Sequence, residues 1–237
     1  MKTFLLIHGS WHGAWCWHKI QPRIEAEGNR AIAIDLPGRG RAPCAPALVG
    51  LGTMVRACER ALPEGQTTVV VHSRYGIVAS ALAERVPQKI GRIIYLASFL
   101  LPSGKRVVDY VPDHESMMPA NVVINRLAMW DRLEPRAYRE ALYADCSPDD
   151  VALASALLVR EPVRPALSRL RLSDDRYGRV PKAYIRLTED RAVSPALQDR
   201  LLGKSKIDRV ESIAASHSAY FSQPDLLTKT ILRLAGS

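Results

Sequence analysis

The stretch Thr67-Thr68-Val69-Val70-Val71-His72-Ser73-Arg74-Tyr75-Gly76 decides the fold of this chain. Its first half, up to Val71, is a short run rich in β-branched residues, which is typical of a strand buried on both faces. The run breaks at His72-Ser73-Arg74, and residues 77–85 then have the composition of a helix that Pro87 ends. A strand, a sharp turn and a helix therefore follow one another directly, with a serine at the turn.

The same alternation of strand and helix extends over much of the chain. Short apolar runs predict strands at residues 4–7, 31–36, 67–71, 90–96, 183–187 and 208–213. Helical spacing predicts helices at residues 51–62, 77–85 and 225–234. Because the strand runs are continuously apolar rather than alternating, they indicate parallel strands covered on both faces. We therefore predict an α/β fold with a doubly wound, mainly parallel sheet.

This rhythm breaks between residues 102 and 172, where prolines are frequent and no clear strand is evident. We interpret the segment as an inserted, mainly helical cap between the fourth and fifth strands. Residues 1–101 and 173–237 would then form the core, and core and cap would make a single structural unit. A length of 237 residues suits one open α/β domain.

Composition favours a packed enzyme-like domain over a nucleic-acid-binding module. Hydrophobic residues make up 47% of the chain and charged residues 24%, so a core can be buried. The formal net charge is +9, but the arginines are scattered and no dense basic run or nucleic-acid-binding motif is present. We expect a solvated basic surface and no nucleic-acid partner.

Cysteine usage and the start of the chain bear on location. The four cysteines are far apart and form no CxxC pair, which favours free thiols in a reducing compartment over a metal or redox site. Met1 leads directly into the first predicted strand without the pattern of a signal peptide, and no apolar run reaches membrane-spanning length. The sequence predicts a cytoplasmic protein without membrane attachment and leaves both a monomer and a homodimer open.

Polar residues gather where predicted strands end. In open α/β sheets, ligands bind beyond the carboxyl ends of the strands. Such positions are His8-Gly9-Ser10, His72-Ser73-Arg74, Thr188-Glu189-Asp190 and Ser216-His217-Ser218. A serine on a sharp turn after a strand projects its hydroxyl above the sheet, and the N–H of the next residue points into the same space.

Ser73, Asp190 and His217 occur in the chain order expected for a catalytic triad on this fold. Serine is a poor nucleophile at neutral pH and needs a base, for which His217 is the best candidate. Asp190 would orient the imidazole and stabilise its charged form. Each residue also has a simpler interpretation: Ser73 as a helix N-cap, Asp190 as a turn residue with Glu189 as a rival acid, and His217 as an ordinary loop histidine.

Several blocks taken together resemble a known family. They are His8 to Trp17, Asp35 to Gly38, Asp145 to Ala152, Glu189-Asp190 with Gln198, and Ser216-His217 with Phe221 to Pro224. These blocks resemble the plant methylesterase and hydroxynitrile lyase group of α/β-hydrolases and its bacterial esterase relatives. The resemblance covers nearly the whole chain.

The resemblance implies a capped α/β-hydrolase fold with Ser73, Asp190 and His217 as the triad. It further implies an oxyanion hole formed by the backbone N–H groups of Ser10 and Arg74. The expected reaction is cleavage of methyl or other short alkyl esters through an acyl-enzyme, with no cofactor and no metal.

The turn at Ser73 departs from the family pattern, which is usually Gly-x-Ser-x-Gly. Val71 and Tyr75 stand at the two flanking positions, while Gly76 is kept. Small residues are usual there because strand and helix approach closely. A catalytically weak or inactive hydrolase that binds a small ligand is therefore an alternative.

A second alternative is a lyase that releases cyanide from cyanohydrins. Resemblance to those members of the family would call for threonine at position 9 and lysine at position 218, whereas this chain has Gly9 and Ser218. Because the positive charge that would stabilise departing cyanide is missing, ester hydrolysis is favoured.

Substrate contacts are expected from aromatic residues around the pocket. The candidates are Trp11 at the oxyanion loop, Tyr75 at the turn and Trp130 in the cap, with Met117, Met118 and Leu127 as further cap residues. For any single one of the four cap residues, packing in a helical core is favoured over lining the pocket. An apolar, aromatic-lined cavity would favour a small aromatic or aliphatic acyl group. For the Arg74 side chain, a surface salt bridge is favoured over contact with a substrate carboxylate.

Overall fold

The computed structural model describes residues 1–111 and 113–236, so Pro112 in the predicted cap and Ser237 lie outside the described residues. Within this range the chain forms nine strands. They are β1 Thr3–Ile7, β2 Arg30–Ile34, β3 Thr67–His72, β4 Ile90–Leu96, β5 Val122–Asn125, β6 Trp130–Leu133, β7 Glu161–Pro162, β8 Lys182–Leu187 and β9 Arg209–Ile213.

Six of these strands form one parallel sheet in the order β2-β1-β3-β4-β8-β9. Each of the six predicted strands coincides with one of them to within two residues at either end. The predicted doubly wound, mainly parallel sheet is therefore confirmed.

Helices lie between the strands and cover the sheet. They are α1 Gln21–Ala26, α2 Leu51–Ala61, α3 Gly76–Arg85, α4 Met118–Asn121, α5 Tyr138–Leu142, α6 Pro148–Leu157, α7 Arg164–Leu167, α8 Pro195–Leu202, α9 Ala219–Ser222 and α10 Pro224–Gly236. Within the described part of the chain, no helix combines the length and apolar character that crossing a membrane requires.

The two faces of the sheet are buried by different helices. Val69 and Val71 of β3 pack in a cluster with residues of α2, α3 and α8, whereas Val70 between them packs with residues of α1 and α10. Successive side chains of a strand point to opposite faces. Burial on both sides therefore explains why β3 consists of consecutive β-branched residues.

The segment predicted as a helical cap contains more than helices. It includes α4 to α7, but also a three-stranded antiparallel sheet in the order β5-β6-β7. No clear strand is evident in the sequence here because β5 and β6 have four residues each and β7 only two, too few to show a pattern. The cap boundaries at residues 102 and 172 stay a prediction.

The strand order places the candidate site. β1 pairs with β2 on one side and with β3 on the other, so the direction of winding reverses between β1 and β3. Loops that leave two such strands part from each other and open a crevice at the carboxyl end of the sheet. Ser10 follows β1 and Ser73 follows β3, which brings both to this crevice.

Candidate active site

The turn after β3 holds Ser73 in a strained backbone conformation. Its φ of 59° lies in the left-handed region, which residues with a side chain rarely adopt. A single turn of 3₁₀ helix, Ser73–Tyr75, then leads into α3. The carbonyl of Ser73 accepts hydrogen bonds from the Phe99 amide at 2.9 Å and from Ser98 Oγ at 2.6 Å, which fix the turn against the loop after β4.

Close approach of the backbone falls at Gly76 rather than at the two positions where the family usually has glycine. A Cβ on Gly76 would lie 2.6 Å from Ser98 Oγ and would also collide with the carbonyl oxygen of Phe99. Val71 and Tyr75 are both fully buried without displacing this turn. The sharp turn therefore forms even though its flanking glycines are absent.

Ser73, His217 and Asp190 form a continuous hydrogen-bonded chain. His217 Nε2 lies 2.9 Å from Ser73 Oγ, and His217 Nδ1 lies 2.7 Å from Asp190 Oδ2. The other oxygen of Asp190 accepts the backbone N–H groups of Ala192 at 2.7 Å and Val193 at 2.9 Å. Nδ1–H therefore donates to the carboxylate, and Nε2 is free to accept the serine proton.

The surroundings of these residues bear on two further expectations from the sequence. Glu189, the rival acid, is exposed, whereas Asp190 is only 2% exposed and contacts the imidazole. His72 is fully buried; its Nε2 donates to the His217 carbonyl at 3.0 Å, and the two rings lie 4.3 Å apart. His72 thus packs against His217 and supports its backbone.

Ser10 and Arg74 both line the cavity beside Ser73. Arg74 is the second residue of the 3₁₀ turn, and the first N–H groups of a helix have no acceptor within that helix. Ser10 belongs to the loop after β1, where His12 Nδ1 donates to the Ser10 carbonyl at 2.6 Å. His8 links the same loop to the one after β2, because it donates to the Gly9 carbonyl and accepts the Leu36 amide.

A cavity of about 180 Å³ opens above Ser73 and His217. Its wall is mostly apolar and combines residues of the core and the cap, among them Trp11, Phe99, Val107, Tyr110, Met118 and Val163. Polar side chains on the wall include Arg74, Asp113, Ser116 and Asp131. The hydroxyl of Ser73 therefore faces a small, largely apolar chamber.

A model of the alpha/beta hydrolase family matches residues 4–230. The chain belongs to this family. It is 31% identical over 248 residues to "Putative methylesterase 11, chloroplastic" of Arabidopsis thaliana, an alignment that covers 98% of the chain and 63% of that protein. It is also 28% identical over 259 residues to salicylic acid-binding protein 2 of Nicotiana tabacum, with 99% of the chain and 97% of that protein covered.

Solved structures show the same fold. The pyrethroid hydrolase of Sphingobium faniae JZ-2 superposes with a TM-score of 0.90 at 24% identity, covering 100% of this chain and 98% of that one. The Arabidopsis methylesterase MES16 superposes with a TM-score of 0.86 at 24% identity, covering 100% and 99%. The sequence similarity to a methylesterase confirms the resemblance to the plant methylesterase group. The chain spans slightly less than two thirds of this first curated relative.

Two residues expected to touch substrate lie away from the cavity. The Tyr75 hydroxyl points into a buried polar cluster with Arg39 and Glu161. The Trp130 ring packs against the guanidinium of Arg160, whose Cζ lies 4.5 Å from the ring centre. Because successive side chains of β6 point to opposite faces, it is Asp131 next to Trp130 that lines the cavity.

The remaining cap candidates divide in the same way. Met118 lines the cavity, whereas Met117 does not and Leu127 is 98% exposed. Sequence reasoning could not separate these residues, because their hydrophobicity alone does not show which face of a short element meets the core.

Arg74 forms an ion pair with the cap rather than facing solvent. Its Nη1 lies 2.8 Å from Asp131 Oδ2, and its guanidinium lies 5.4 Å from the centre of the Trp11 ring. Trp11 Nε1 donates to the other oxygen of Asp131 at 2.8 Å. Burial opposes the charge of Arg74, but the carboxylates of Asp131 and Glu161 together outweigh it and raise the pKa of Arg74 above its ordinary value. Arg74 thus forms a salt bridge, but the expectation that this pair lies at the surface was wrong, because the two side chains are only 15% and 6% exposed.

Glu161 is a site residue that the sequence did not reveal. It is fully buried on cap strand β7 and binds Arg39, Tyr75 and the backbone amide of Trp11. A lone glutamate in a proline-rich segment carries no pattern that predicts such contacts. Among the described residues, no cluster of three or more His, Cys, Asp or Glu side chains is arranged to hold a metal ion.

Three histidines are buried around the site, and we expect them to make the stability of the fold depend on pH. Burial lowers the pKa of His8, His12 and His72 below the ordinary value of 6.5, for His12 to about 3. The unfolded chain binds protons at these residues below about pH 6.5, whereas the folded chain does not. The free energy of unfolding should therefore fall as the pH falls, by roughly 4 kcal/mol in total between about pH 7.5 and about pH 5.5.

Urea unfolding across this pH range measures the effect. A free energy of unfolding that stays constant down to about pH 5.5 would contradict the prediction.

Proposed function

We propose that this chain is a serine hydrolase that cleaves small carboxylic esters through an acyl-enzyme. The observation that carries the proposal is the hydrogen-bonded chain from Ser73 Oγ through His217 to Asp190, with links of 2.9 Å and 2.7 Å, at the wall of an apolar cavity. The named relatives, which include methylesterases, support the same reaction class.

In this mechanism, Ser73 Oγ attacks the ester carbonyl while His217 Nε2 takes the hydroxyl proton. Asp190 holds the imidazole through Nδ1–H and stabilises its positive charge. The N–H groups of Ser10 and Arg74 stabilise the oxyanion, and one such donor is worth roughly 10²–10³-fold in rate. His217 then protonates the leaving alcohol, and water, activated by the same base, hydrolyses the acyl-enzyme.

The cavity supports a neutral, apolar acyl group as substrate. Its volume of about 180 Å³ is small, and most of its wall is apolar. The guanidinium on that wall, Arg74, is already paired with Asp131 at 2.8 Å, so it does not offer an uncompensated charge to a substrate carboxylate. Methyl or other short alkyl esters of small apolar acids are therefore the proposed substrates, with no cofactor.

The two alternatives fit the geometry less well. A protein that only binds ligand would not need the strained Ser73 or its contact with His217. A lyase of this family would place threonine at position 9, but a Cβ on Gly9 would lie 2.8 Å from both Ser73 Cβ and His72 Nδ1. The space around the serine therefore favours hydrolysis.

Location and assembly are also proposals. All four cysteines are free, which supports a reducing compartment such as the cytoplasm. Several curated relatives are named as chloroplastic, which describes the location of those plant proteins. The homodimer and the absence of a nucleic-acid partner stay predictions.

Labelling with a fluorophosphonate probe tests the proposal. We expect one adduct, on Ser73 by mass spectrometry, and loss of p-nitrophenyl acetate hydrolysis in proportion to labelling. Urea-unfolded protein is the control and should remain unlabelled. Folded protein that binds ester analogues without labelling would indicate the binding protein, and release of benzaldehyde from mandelonitrile would indicate the lyase.

A further inference from the structure

A buried cluster of charged and polar groups joins the cap to the two loops that flank Ser73. The Glu161 carboxylate contacts Arg39 Nη2 and the Tyr75 hydroxyl through one oxygen, and accepts the Trp11 amide at 2.7 Å through the other. Arg39 Nη2 also donates to the Tyr75 hydroxyl at 2.6 Å. Arg39, Tyr75 and Glu161 are each at most 2% exposed.

The peptide group between Ser10 and Trp11 is held at both ends, by Glu161 of this cluster and by His12. The N–H of that peptide donates to Glu161, and its carbonyl, on Ser10, accepts from His12 Nδ1 at 2.6 Å. Trp11 has a φ of 61°, so its backbone needs such support to stay in the left-handed region. The N–H of Ser10 lies on the adjoining peptide, and its direction depends on this anchor.

The same carboxylate reaches the other loop through Tyr75. Tyr75 directly follows Arg74, so a fixed Tyr75 side chain restrains the peptide next to the one that carries the Arg74 N–H. Glu161 therefore contacts the neighbour of each proposed oxyanion donor, Trp11 beside Ser10 and Tyr75 beside Arg74. Tyr75 stands where the family usually has glycine, which has no side chain to make this contact.

We propose that Glu161 is a positioning residue, which holds the Ser10 and Arg74 N–H groups in register through Trp11 and Tyr75. Arg39 supplies the charge that allows a carboxylate to be buried here. The role rests on the proposed esterase function, because it concerns the oxyanion of that reaction. The cap would then contribute to catalysis as well as enclosing the substrate.

Two uncharged double variants isolate the role of Glu161. Arg39→Met/Glu161→Gln removes both charges but keeps one oxygen to accept the Trp11 amide, and its NH₂ group can donate to the Tyr75 hydroxyl. Arg39→Met/Glu161→Leu removes the acceptor as well. Removing both members of a buried ion pair avoids leaving one charge unpaired, so both variants should fold. Tyr75→Phe, which deletes one hydroxyl and keeps the ion pair, is a milder third variant.

We expect the leucine variant to lose about 10²-fold in kcat for p-nitrophenyl acetate with little change in KM, because misplacing a catalytic donor slows chemistry and not binding. The glutamine variant should retain most of the activity, and Tyr75→Phe should fall between them. Affinity for a trifluoromethyl ketone, which adds to Ser73 and forms an oxyanion, should fall with kcat. Affinity for the matching methyl ketone should not change.

Asp150→Asn is the matched control, since it breaks another ion pair between cap and core, with Lys19 at 2.7 Å, away from the cavity wall. It should keep its activity. Equal activity and trifluoromethyl ketone affinity in the glutamine and leucine variants would overturn the proposal for Glu161 alone. If the protein without any substitution neither cleaves the ester nor binds the trifluoromethyl ketone, the proposed esterase function itself would be overturned.

Discussion

Ser73→Ala should lower kcat for p-nitrophenyl acetate by about 10⁶-fold, because the variant retains the cavity and oxyanion donors but has no nucleophile. His217→Ala should have an effect of the same size, since Ser73 Oγ bonds His217 Nε2 at 2.9 Å and is not activated without it. The two residues act on one step. The double variant should therefore be no slower than either single variant.

Ser103→Ala is the control for these measurements, because Ser103 is exposed and does not line the cavity. It should match the original chain in kcat and KM. Residual activity of Ser73→Ala within about 10²-fold of the original chain would show that another group is the nucleophile. Losses that multiply in the double variant would show that Ser73 and His217 do not act as a pair.

The core of the fold was predictable because local sequence determines it directly. β3 is buried on both faces, and its consecutive β-branched residues record that burial in the sequence itself. The residues at the strand ends were predictable for a related reason. Parallel strands bring their carboxyl ends to one edge, so Ser73 after β3, Asp190 after β8 and His217 after β9 all lie at the same edge of the sheet.

The cap was not predictable to the same degree, because its elements are short and take their structure from contacts with the core. The hairpin of β5 and β6 leaves Val123 and Ile124 exposed, so hydrophobicity there did not mark a buried strand. A shift of one residue decides whether Trp130 or Asp131 faces the cavity. Sequence alone does not fix that register.

The sequence did not show how the turn accommodates Tyr75 in place of glycine, because the partners of this side chain are distant along the chain. Its partners are Arg39, 36 residues earlier, and Glu161, 86 residues later. No periodicity relates these positions. Only the packing of the cap on the core shows that the replaced glycine is compensated by a buried polar cluster.

Asp190→Asn should leave the fold intact and lower kcat by about 10⁴-fold, because it would favour the wrong tautomer of His217. The amides of Ala192 and Val193 donate to Asp190 Oδ1 at 2.7 Å and 2.9 Å, so they would hold the side-chain oxygen of asparagine in that place. The amide NH₂ would then face His217 Nδ1, which lies 2.7 Å from the present Oδ2. Nδ1 would have to accept a hydrogen bond, and the ring proton would move to Nε2, which could no longer take the proton of Ser73.

The ¹⁵N chemical shifts of His217 and the kinetics of p-nitrophenyl acetate hydrolysis measure the tautomer and its consequence together. Glu189→Gln is the matched control, because it neutralises the exposed neighbouring acid and should leave kcat unchanged. Loss of activity in Glu189→Gln with retention in Asp190→Asn would assign the acid to Glu189. An Asp190→Asn variant that is slow but keeps the proton on Nδ1 would show that the negative charge of Asp190, rather than the ring orientation it enforces, is what the reaction requires.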